Sequence, residues 1–101
     1  MWIFVIYDLP TGTKLERRNA AKFRKGLLRN GFNMFQFSIY LRYCHREEGA
    51  KPYKNNIKKY IPKNGRVSIF QIGDAQFEKM EIFLDKKMQQ PISPPKQIEF
   101  F

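Results

Sequence analysis

The chain begins with an uninterrupted apolar run, Trp2 to Tyr7, that ends at a carboxylate, Asp8. A strand with one wet face alternates apolar and polar residues, so a continuous run of this length predicts a strand covered on both faces. Pro10 and Gly12 then turn the chain away from that strand. The pattern therefore predicts a central strand that ends at Asp8, with the rest of the fold around it.

The spacing of apolar residues changes to that of a helix after Thr13. Thr13 and Glu16 form a capping-box pattern, in which a hydroxyl and a carboxylate three positions apart satisfy the first amides of a helix. The predicted helix runs from about Lys14 to Arg29, and Asn30-Gly31 supplies its stop. Its apolar stripe consists of Leu15, Ala20, Phe23, Leu27 and Leu28.

The segment from Phe32 to Cys44 is rich in residues that favour strands. Its apolar positions recur with a period of two, which is the period of a strand. This pattern fits either one long bent strand or two short strands joined by a tight turn near Ser38. The residues of common parity are Phe35, Phe37, Ile39, Leu41 and Tyr43.

The remaining elements are shorter. A second basic helix is predicted from Ala50 or Pro52 to Ile61, and a strand from Arg66 to Ile72. Phe77 to Leu84 is predicted to be a strand rather than a helix. Asp85 to Gln97 is predicted to be a mobile or extended connector, and the apolar tail Ile98 to Phe101 to dock as an edge strand on its own sheet or a partner's.

The order strand, helix, strand or strands, helix, strand, strand is typical of a ferredoxin-like α+β sandwich. Such a fold places two helices on one face of an antiparallel sheet. At 101 residues the chain has room for one such domain. We expect it to span residues 1–84, with residues 85–101 forming a Pro-rich connector and a C-terminal edge strand.

Positive charge is concentrated in the first two thirds of the chain. The formal net charge is +10, and up to Arg66 there are fifteen Lys or Arg residues against four Asp or Glu residues. Such an imbalance favours a polyanionic partner, above all nucleic acid, although a cationic surface that serves only solubility is the alternative. Seven cations on the first predicted helix repel one another unless an anion neutralises them. The candidate nucleic-acid contacts are Lys14, Arg17, Arg18 and Lys22.

Most familiar catalytic and metal-binding patterns are missing. The single cysteine, Cys44, is expected to be a small buried residue, and a lone cysteine fits a reducing compartment. His45 lies in a polar loop with nothing nearby to orient it, so we expect a surface residue rather than a catalytic base. No signal-peptide pattern or membrane span is present, which predicts a cytoplasmic location without membrane contact.

Asp8 has two interpretations. An Asp that precedes Leu-Pro at the exit of a strand often only caps a turn with its side chain, and spacing alone favours that role. Alternatively, a carboxylate at the end of a buried strand, near cationic helices, binds a divalent ion that activates water against a phosphodiester. One carboxylate is too few for such a site, but a two-fold homodimer would bring a second Asp8 to the same place.

Several motifs occur together in this chain. They are Tyr7 through Thr11, Arg17-Arg18 with Lys22 to Lys25, Leu28 through Phe32, Gln36 to Tyr40, and Val67 to Phe70 with Gln76-Phe77. In this combination the chain, to about Leu84, resembles the small CRISPR-associated endoribonuclease family that partners the CRISPR integrase in spacer acquisition. The sequences of two of these motifs, Tyr7 through Thr11 and Gln36 to Tyr40, are most similar to those of family members found beside Cas9-type systems.

The resemblance implies a ferredoxin-like homodimer in which Asp8 of each chain faces the other across the interface around Mg²⁺, or Mn²⁺ in its place. It implies metal-dependent cleavage of single-stranded RNA or double-stranded DNA. It also implies a scaffold role, in which the dimer bridges two integrase dimers and holds prespacer DNA on its basic surface. The C-terminal segment of the family commonly docks on a neighbouring subunit's sheet or on the integrase.

Two classes of function therefore stay open within the family. In one, Asp8 and its symmetry mate hold a metal ion and cleave nucleic acid; in the other, the dimer is a largely non-catalytic scaffold. Outside the family, a non-catalytic single-strand RNA-binding module of the same fold is the alternative. Such modules stack bases on exposed aromatic residues of central strands, and Phe70 and Tyr40 are the candidates.

Overall fold

The computed structural model describes residues 1–90 together with Ile92 and Pro94. In this part of the chain, four strands form an antiparallel sheet in the order β2-β3-β1-β4. The elements are β1 (Trp2–Asp8), α1 (Lys14–Arg29), β2 (Asn33–Gln36), β3 (Ile39–Tyr43), α2 (Ala50–Lys58), β4 (Arg66–Ile72), α3 (Asp74–Glu78), β5 (Phe83–Leu84) and β6 (Lys87–Met88).

The strand β1 is the centre of the sheet, as its continuous apolar run predicts. It pairs with β3 on one side and with β4 on the other. Ile3 and Val5 face a core built with Phe23 and Leu27 of α1 and Ile57 of α2. Both helices therefore pack on one face of the sheet, which confirms the predicted ferredoxin-like α+β sandwich.

The helix α1 has the predicted bounds because its ends are encoded locally. The Thr13 hydroxyl accepts a hydrogen bond of 3.0 Å from the amide of Glu16, whose carboxylate accepts one of 2.9 Å from the amide of Thr13. Gly31 ends the helix with φ of 79°, a backbone conformation that costs glycine little. Phe23 and Leu27 of the predicted stripe are buried, but Leu15 and Leu28 are exposed.

A close approach of the chain fixes α1 against the segment that follows α2. A Cβ atom added at Gly26 would lie 2.5 Å from Cδ2 of Tyr60, so the helix surface is open at this position to admit the ring. At the end of α1, Nη1 of Arg42 donates a hydrogen bond of 2.8 Å to the carbonyl of Asn30. The same guanidinium lies over the Tyr53 ring of α2, 3.8 Å from its centroid, and so ties both helices to β3.

The segment from Phe32 to Cys44 forms two strands, which settles the alternative left open by the sequence. Gln36 pairs with Ile39, so Phe37 and Ser38 are the two turn residues. Ser38 has a positive φ of 63°. A register shift between Met34 and Gln36 interrupts the strict alternation of β2.

The second face of the sheet is covered only in part. Trp2 stacks on Phe77 of α3 at 4.4 Å, and Phe4 and Leu41 belong to the same apolar cluster. The prediction of a strand from Phe77 onward is therefore wrong, because Asp74–Glu78 form a short helix that places Phe77 over the central strand. Only Phe83–Leu84, at the end of that segment, form a strand.

The described part of the predicted connector begins with a hairpin rather than extended chain. Lys87–Met88 pair with Phe83–Leu84, and both turn residues, Asp85 and Lys86, have positive φ. The predicted edge strand Ile98 to Phe101 lies outside the described residues. The division of the chain at residue 84 stays a prediction.

Candidate functional site: the exposed end of the central strand

Asp8 lies on the sheet face opposite α1 and α2. It has the same parity along β1 as Trp2 and Phe4, whereas Ile3 and Val5 face the helices. Its direct partner across the β1–β4 pair is Arg66, and both side chains are exposed. Together with Ile6, Tyr7 and Ser68 they line a cavity of about 240 Å³. The structure thus places a carboxylate and a guanidinium side by side at one end of the sheet.

The carboxylate of Asp8 is not used to cap the turn that follows it. In residues 1–90, Ile92 and Pro94, no hydrogen bond or ion pair engages that side chain. The turn is held instead by Arg17, whose Nη1 donates to the carbonyls of Thr11 at 3.1 Å and Gly12 at 3.3 Å. Within the described chain, the carboxylate remains available to a ligand.

The donor set at this end of the sheet fits half of a magnesium site. Carboxylate oxygen is the ligand that Mg²⁺ and Mn²⁺ prefer, and Asp8 offers it from a rigid strand end. In the described part of the chain, no three His, Cys, Asp or Glu side chains converge in a way that would hold a metal ion. A complete site therefore requires ligands from beyond this set, as a second copy of Asp8 would supply.

Tyr7, next to Asp8, points the other way, into the core below the helices. Its ring meets Phe23 edge-on at 5.0 Å and stacks on Tyr40 at 5.9 Å. Burial, followed by the neighbouring Tyr40 hydroxyl, raises the pKa of Tyr7 to about 12. Arg24 donates from Nε to the Tyr40 hydroxyl at 2.9 Å. Tyr7 therefore stays neutral near pH 7 and serves to hold the strand end in place, not to accept a proton.

All four predicted nucleic-acid contacts are exposed on α1. At 100° per residue, Lys14 and Arg18 lie opposite the buried Phe23, and Arg17 and Lys22 lie on the two flanks, so the helix presents a cationic outer surface. Lys22 shares a cavity of about 240 Å³ with Lys59, which follows α2. Arg17 contacts the loop after Asp8, which links this surface to the strand end. The predicted residues are Lys14, Arg17, Arg18 and Lys22.

The end of the sheet face that carries Asp8 is uncovered. Ile6 is 40% exposed there, and Phe70, which pairs with the buried Phe4 in the middle of the face, is 38% exposed, whereas Trp2 stacks on Phe77 of α3. Phe37, at the β2–β3 turn, is 92% exposed. Exposed apolar side chains such as Ile6 and Phe70 on one sheet face are typical of a surface that another molecule covers.

The other candidates from the sequence lie away from Asp8. Cys44 is buried, as predicted, and His45 is exposed, with its ring edge-on to Tyr43 at 5.0 Å. His45 and Tyr43 border a larger cavity of about 470 Å³ whose lining includes no carboxylate. Among the described residues that line it, no carboxylate accompanies the histidine as a metal ligand.

Three residues of the site were missed at the level of sequence. Arg66, Lys59 and Phe37 join it through strand register, helix packing and the position of a turn. The sequence marks Arg66 as the first residue of a strand, but the partner of that strand cannot be deduced from period alone. Phe37 shares the strand parity of Phe35 and Ile39, so periodicity alone does not mark it as a surface residue.

The described helices include none long and apolar enough to cross a membrane. Residues 1–80 match the family described as CRISPR associated protein Cas2. The chain is similar to a protein of Flavobacterium psychrophilum, with 46% identity over the whole chain and 88% of that protein. A protein of Parvibaculum lavamentivorans is 37% identical over the full length of both. Each is named CRISPR-associated endoribonuclease Cas2.

A solved structure supports the fold. The crystal structure of Streptococcus pyogenes Cas2 at pH 6.5 superposes with a TM-score of 0.62, covering 82% of this chain and 99% of that chain at 19% identity. The family match and this likeness of fold therefore agree. The chain belongs to the Cas2 family of CRISPR-associated proteins.

Proposed function

We propose that this chain is a cytoplasmic CRISPR adaptation protein that acts as a homodimer, with metal-dependent endonuclease activity at a pair of Asp8 side chains. Membership of the Cas2 family and the endoribonuclease name of its relatives support the nuclease class. The observation that carries the proposal is the exposed, unpaired carboxylate of Asp8, in the described chain, on the uncovered half of the sheet face.

A second copy of the chain is the simplest cover for that face. Packing two such faces together would bury Ile6 and Phe70, each of which leaves more than a third of its surface in water. Burial of apolar area at about 25 cal/mol per Å² favours such an association. A two-fold axis near the end of β1 would bring the second Asp8 beside the first.

The two Asp8 carboxylates would hold Mg²⁺ or Mn²⁺. Such an ion, when bound, lowers the pKa of water and neutralises charge on a phosphodiester. Arg66, directly opposite Asp8, is placed to bind a phosphate and orient it. Tyr7, with its raised pKa, keeps its proton and supports the strand end from the helix side.

The scaffold role is part of the same proposal. The outer surface of α1 presents Lys14, Arg18 and Lys22 to solvent, and Lys22 shares a groove with Lys59. Such a surface suits the regular phosphate charges of prespacer duplex DNA. In this role the dimer would bridge integrase subunits, and Asp8 would be dispensable for the bridging itself.

The structure excludes one of the two aromatic residues on which the alternative, a non-catalytic RNA-binding module, depends. Tyr40 is 1% exposed and faces the helices, so its predicted role as a base-stacking residue is wrong. Phe70 is on the open face but stacks on Phe4, at 5.3 Å between centroids. The open face therefore resembles a protein contact more than an aromatic platform for RNA.

Asp8→Asn separates the two roles, because it removes the charge and keeps the shape. We expect this variant to lose Mg²⁺- or Mn²⁺-dependent cleavage of single-stranded RNA and duplex DNA while its thermal unfolding stays unchanged. Asp85→Asn, at an exposed turn, is the matched control. Retained integration by the purified integrase with Asp8→Asn would support a scaffold with separable cleavage. Undiminished cleavage by this variant would refute the catalytic part of the proposal.

A further inference from the structure

Phe37 is the most exposed large apolar side chain in the described part of the chain, at 92%. It lies at the tip of the β2–β3 hairpin, where Gln36 pairs with Ile39 and leaves a two-residue turn. The neighbouring aromatic residue Phe35 packs into the cluster beneath α3. The hairpin thus points one ring into the core and presents the next one to solvent.

The hairpin tip lies at the same end of the sheet as Asp8. The amide of Tyr7 donates a hydrogen bond of 3.0 Å to the carbonyl of Ser38, and Ile6 pairs with Ile39. Asp8 is therefore one residue beyond the strand position that is bonded to the turn. On the opposite edge of β1, Arg66 faces Asp8. The end of the sheet presents an aromatic ring, a carboxylate and a guanidinium in that lateral order.

The backbone at the tip is not the one that a two-residue hairpin usually adopts. Ser38 has φ of 63°, in the left-handed region of the Ramachandran plot. Glycine adopts this region readily and Asn and Asp do so occasionally, but it is unfavourable for other residues. The turns that two-residue hairpins favour have a positive φ at the first central residue, but Phe37, which holds that position here, has a negative φ. The hydrogen bond from Tyr7 holds this conformation. Strain that the surroundings maintain beside a reactive group is typical of functional sites.

The charges beside Asp8 indicate the kind of molecule that meets the ring. Arg66 is exposed opposite Asp8, and Arg17 packs on the loop that leaves Asp8. An exposed aromatic side chain at the same end of the sheet as these cations suits a single-stranded nucleic acid, with a base on the ring and phosphates on the cations. A base inside a duplex has both of its faces covered by neighbouring pairs, so only an unpaired or terminal base can stack there.

We propose that Phe37 is a base-stacking residue that positions an unpaired nucleotide beside Asp8. This inference rests on the proposed function and adds a positioning residue to it. Duplex DNA then binds by the outer surface of α1, and single strands bind across the strand end. Phe37 is a positioning and specificity residue, since it touches a base and not the bond that is cleaved.

The test measures binding of three probes to the full-length protein at several salt concentrations. The probes are an oligoribonucleotide, the DNA strand of the same sequence and a blunt DNA duplex. Phe37→Ala is expected to weaken binding of the single strands by about 5- to 150-fold, as the loss of one aromatic–base stack does. The salt dependence stays unchanged, because no phosphate contact is lost. Duplex affinity also stays unchanged.

Two further variants separate stacking from mere apolar contact. Phe37→Tyr keeps an aromatic face and should bind single strands as the wild type does, whereas Phe37→Leu should behave like Phe37→Ala. Phe83→Ala, at an exposed phenylalanine of β5, is the matched control and should change none of the three affinities. An abasic nucleotide can also be placed at each position of the oligoribonucleotide in turn. With the wild type, we expect the loss of affinity seen in Phe37→Ala to appear at one of these positions. With Phe37→Ala, none of the abasic probes should bind more weakly than the unmodified probe, because the stack is already absent.

Several results would overturn the inference. An equal loss of duplex affinity, full rescue by leucine, or dissociation of the dimer on Phe37→Ala would each show that the ring makes a different contact. If the wild type binds the probes and Phe37→Ala binds them equally well, the inference fails and the proposed function stands. If the wild type binds none of the probes, both fail together.

Discussion

Asp8 and Arg66 lie directly opposite each other in the antiparallel pair of β1 and β4, and both are exposed on the sheet face that the helices leave free. A carboxylate and a guanidinium are therefore neighbours within one chain. On the proposed function, this pairing lets one strand end bind both the metal ion and its anionic substrate.

Arg66→Gln should weaken binding of nucleic acid and leave the fold intact. For a single-stranded probe, loss of one phosphate contact lowers the slope of log affinity against log salt by about 0.7. The slope can be measured by fluorescence anisotropy over a range of salt concentrations. Lys79→Gln removes an exposed cation at the end of α3 and is the control. An equal change in slope for both variants would place the phosphate contact elsewhere.

Reversing the charge of Arg17 and Arg18 together should weaken nucleic-acid binding and flatten its salt dependence by about two phosphate contacts. The two residues should differ in stability, because only Arg17 holds the loop through the carbonyls of Thr11 and Gly12. Arg17→Glu should therefore unfold at a lower temperature than Arg18→Glu. Thermal unfolding followed by circular dichroism compares the two, and Lys87→Glu on β6 is the control for net charge. A salt slope that does not change would mean that the binding surface lies away from the start of α1.

Gly26→Ala should destabilise the fold, although alanine favours helices by about 1 kcal/mol over glycine. The added Cβ would lie 2.5 Å from Cδ2 and 2.7 Å from Cγ of Tyr60, and overpacking of this kind costs typically about 1–3 kcal/mol. Urea denaturation measures the change. Gly73→Ala, where a Cβ meets no atom within 4 Å, should change stability little. A higher midpoint for Gly26→Ala would contradict the tight packing of α1 on Tyr60.

Tyr7 should make the protein sensitive to alkali in a defined range. Its pKa is raised from the ordinary value of 10.0 to about 12, first by burial and then by Tyr40, so the folded state favours the protonated form. The resulting stability is fully present below pH 10.0 and is lost as the pH rises toward about 12. Denaturation midpoints measured across this range check the loss.

A variant assigns the shift to its cause. Tyr40→Phe removes a hydroxyl that raises the pKa of Tyr7, so the pKa of Tyr7 should move back toward the ordinary value. Absorbance titration of tyrosinate follows this change, with Tyr53→Phe as a control on α2. An unchanged Tyr7 titration in Tyr40→Phe would leave burial as the whole cause.

The sequence was informative wherever an element is encoded by its own residues. The run from Trp2 to Asp8 predicts β1, and the reciprocal bonds of Thr13 and Glu16 begin α1 where the pattern places it. Arg66–Ile72 likewise forms the predicted strand. In each of these elements, local preference and tertiary packing favour the same structure, so reading the pattern is sufficient.

Prediction was less successful where packing decides. The five-residue helix α3 is stabilised by tertiary packing, because its Phe77 buries Trp2 and Phe4 on the sheet face. The hairpin at Asp85-Lys86 lacks the Asn-Gly signal that usually marks such a turn. Phe37 shares the parity of core residues, but the register shift in β2 and the turn at Ser38 expose it.

Some residues of the candidate site could likewise be predicted from the sequence, and others depend on tertiary structure. Asp8 was identified from its place at the end of an apolar run, and the cations of α1 from their number. The facing position of Arg66 depends on which strands pair and in what register, which a single sequence does not specify. The link between Phe37 and Asp8 depends on the hydrogen bond from Tyr7 to Ser38, a contact between two strands.

The strand order β2-β3-β1-β4 also governs how the molecule is completed during synthesis. β1 is translated first, but one of its two neighbours, β4, emerges only after α2. Until then, the apolar segment from Trp2 to Val5 belongs to an unprotected edge on the nascent chain, which is the kind of segment that associates with other chains. Since β4 also carries Arg66, a chain released early would lack the guanidinium beside Asp8. The pairing of β4 thus covers this edge of β1 and, on the proposed function, completes the strand-end site in the same step.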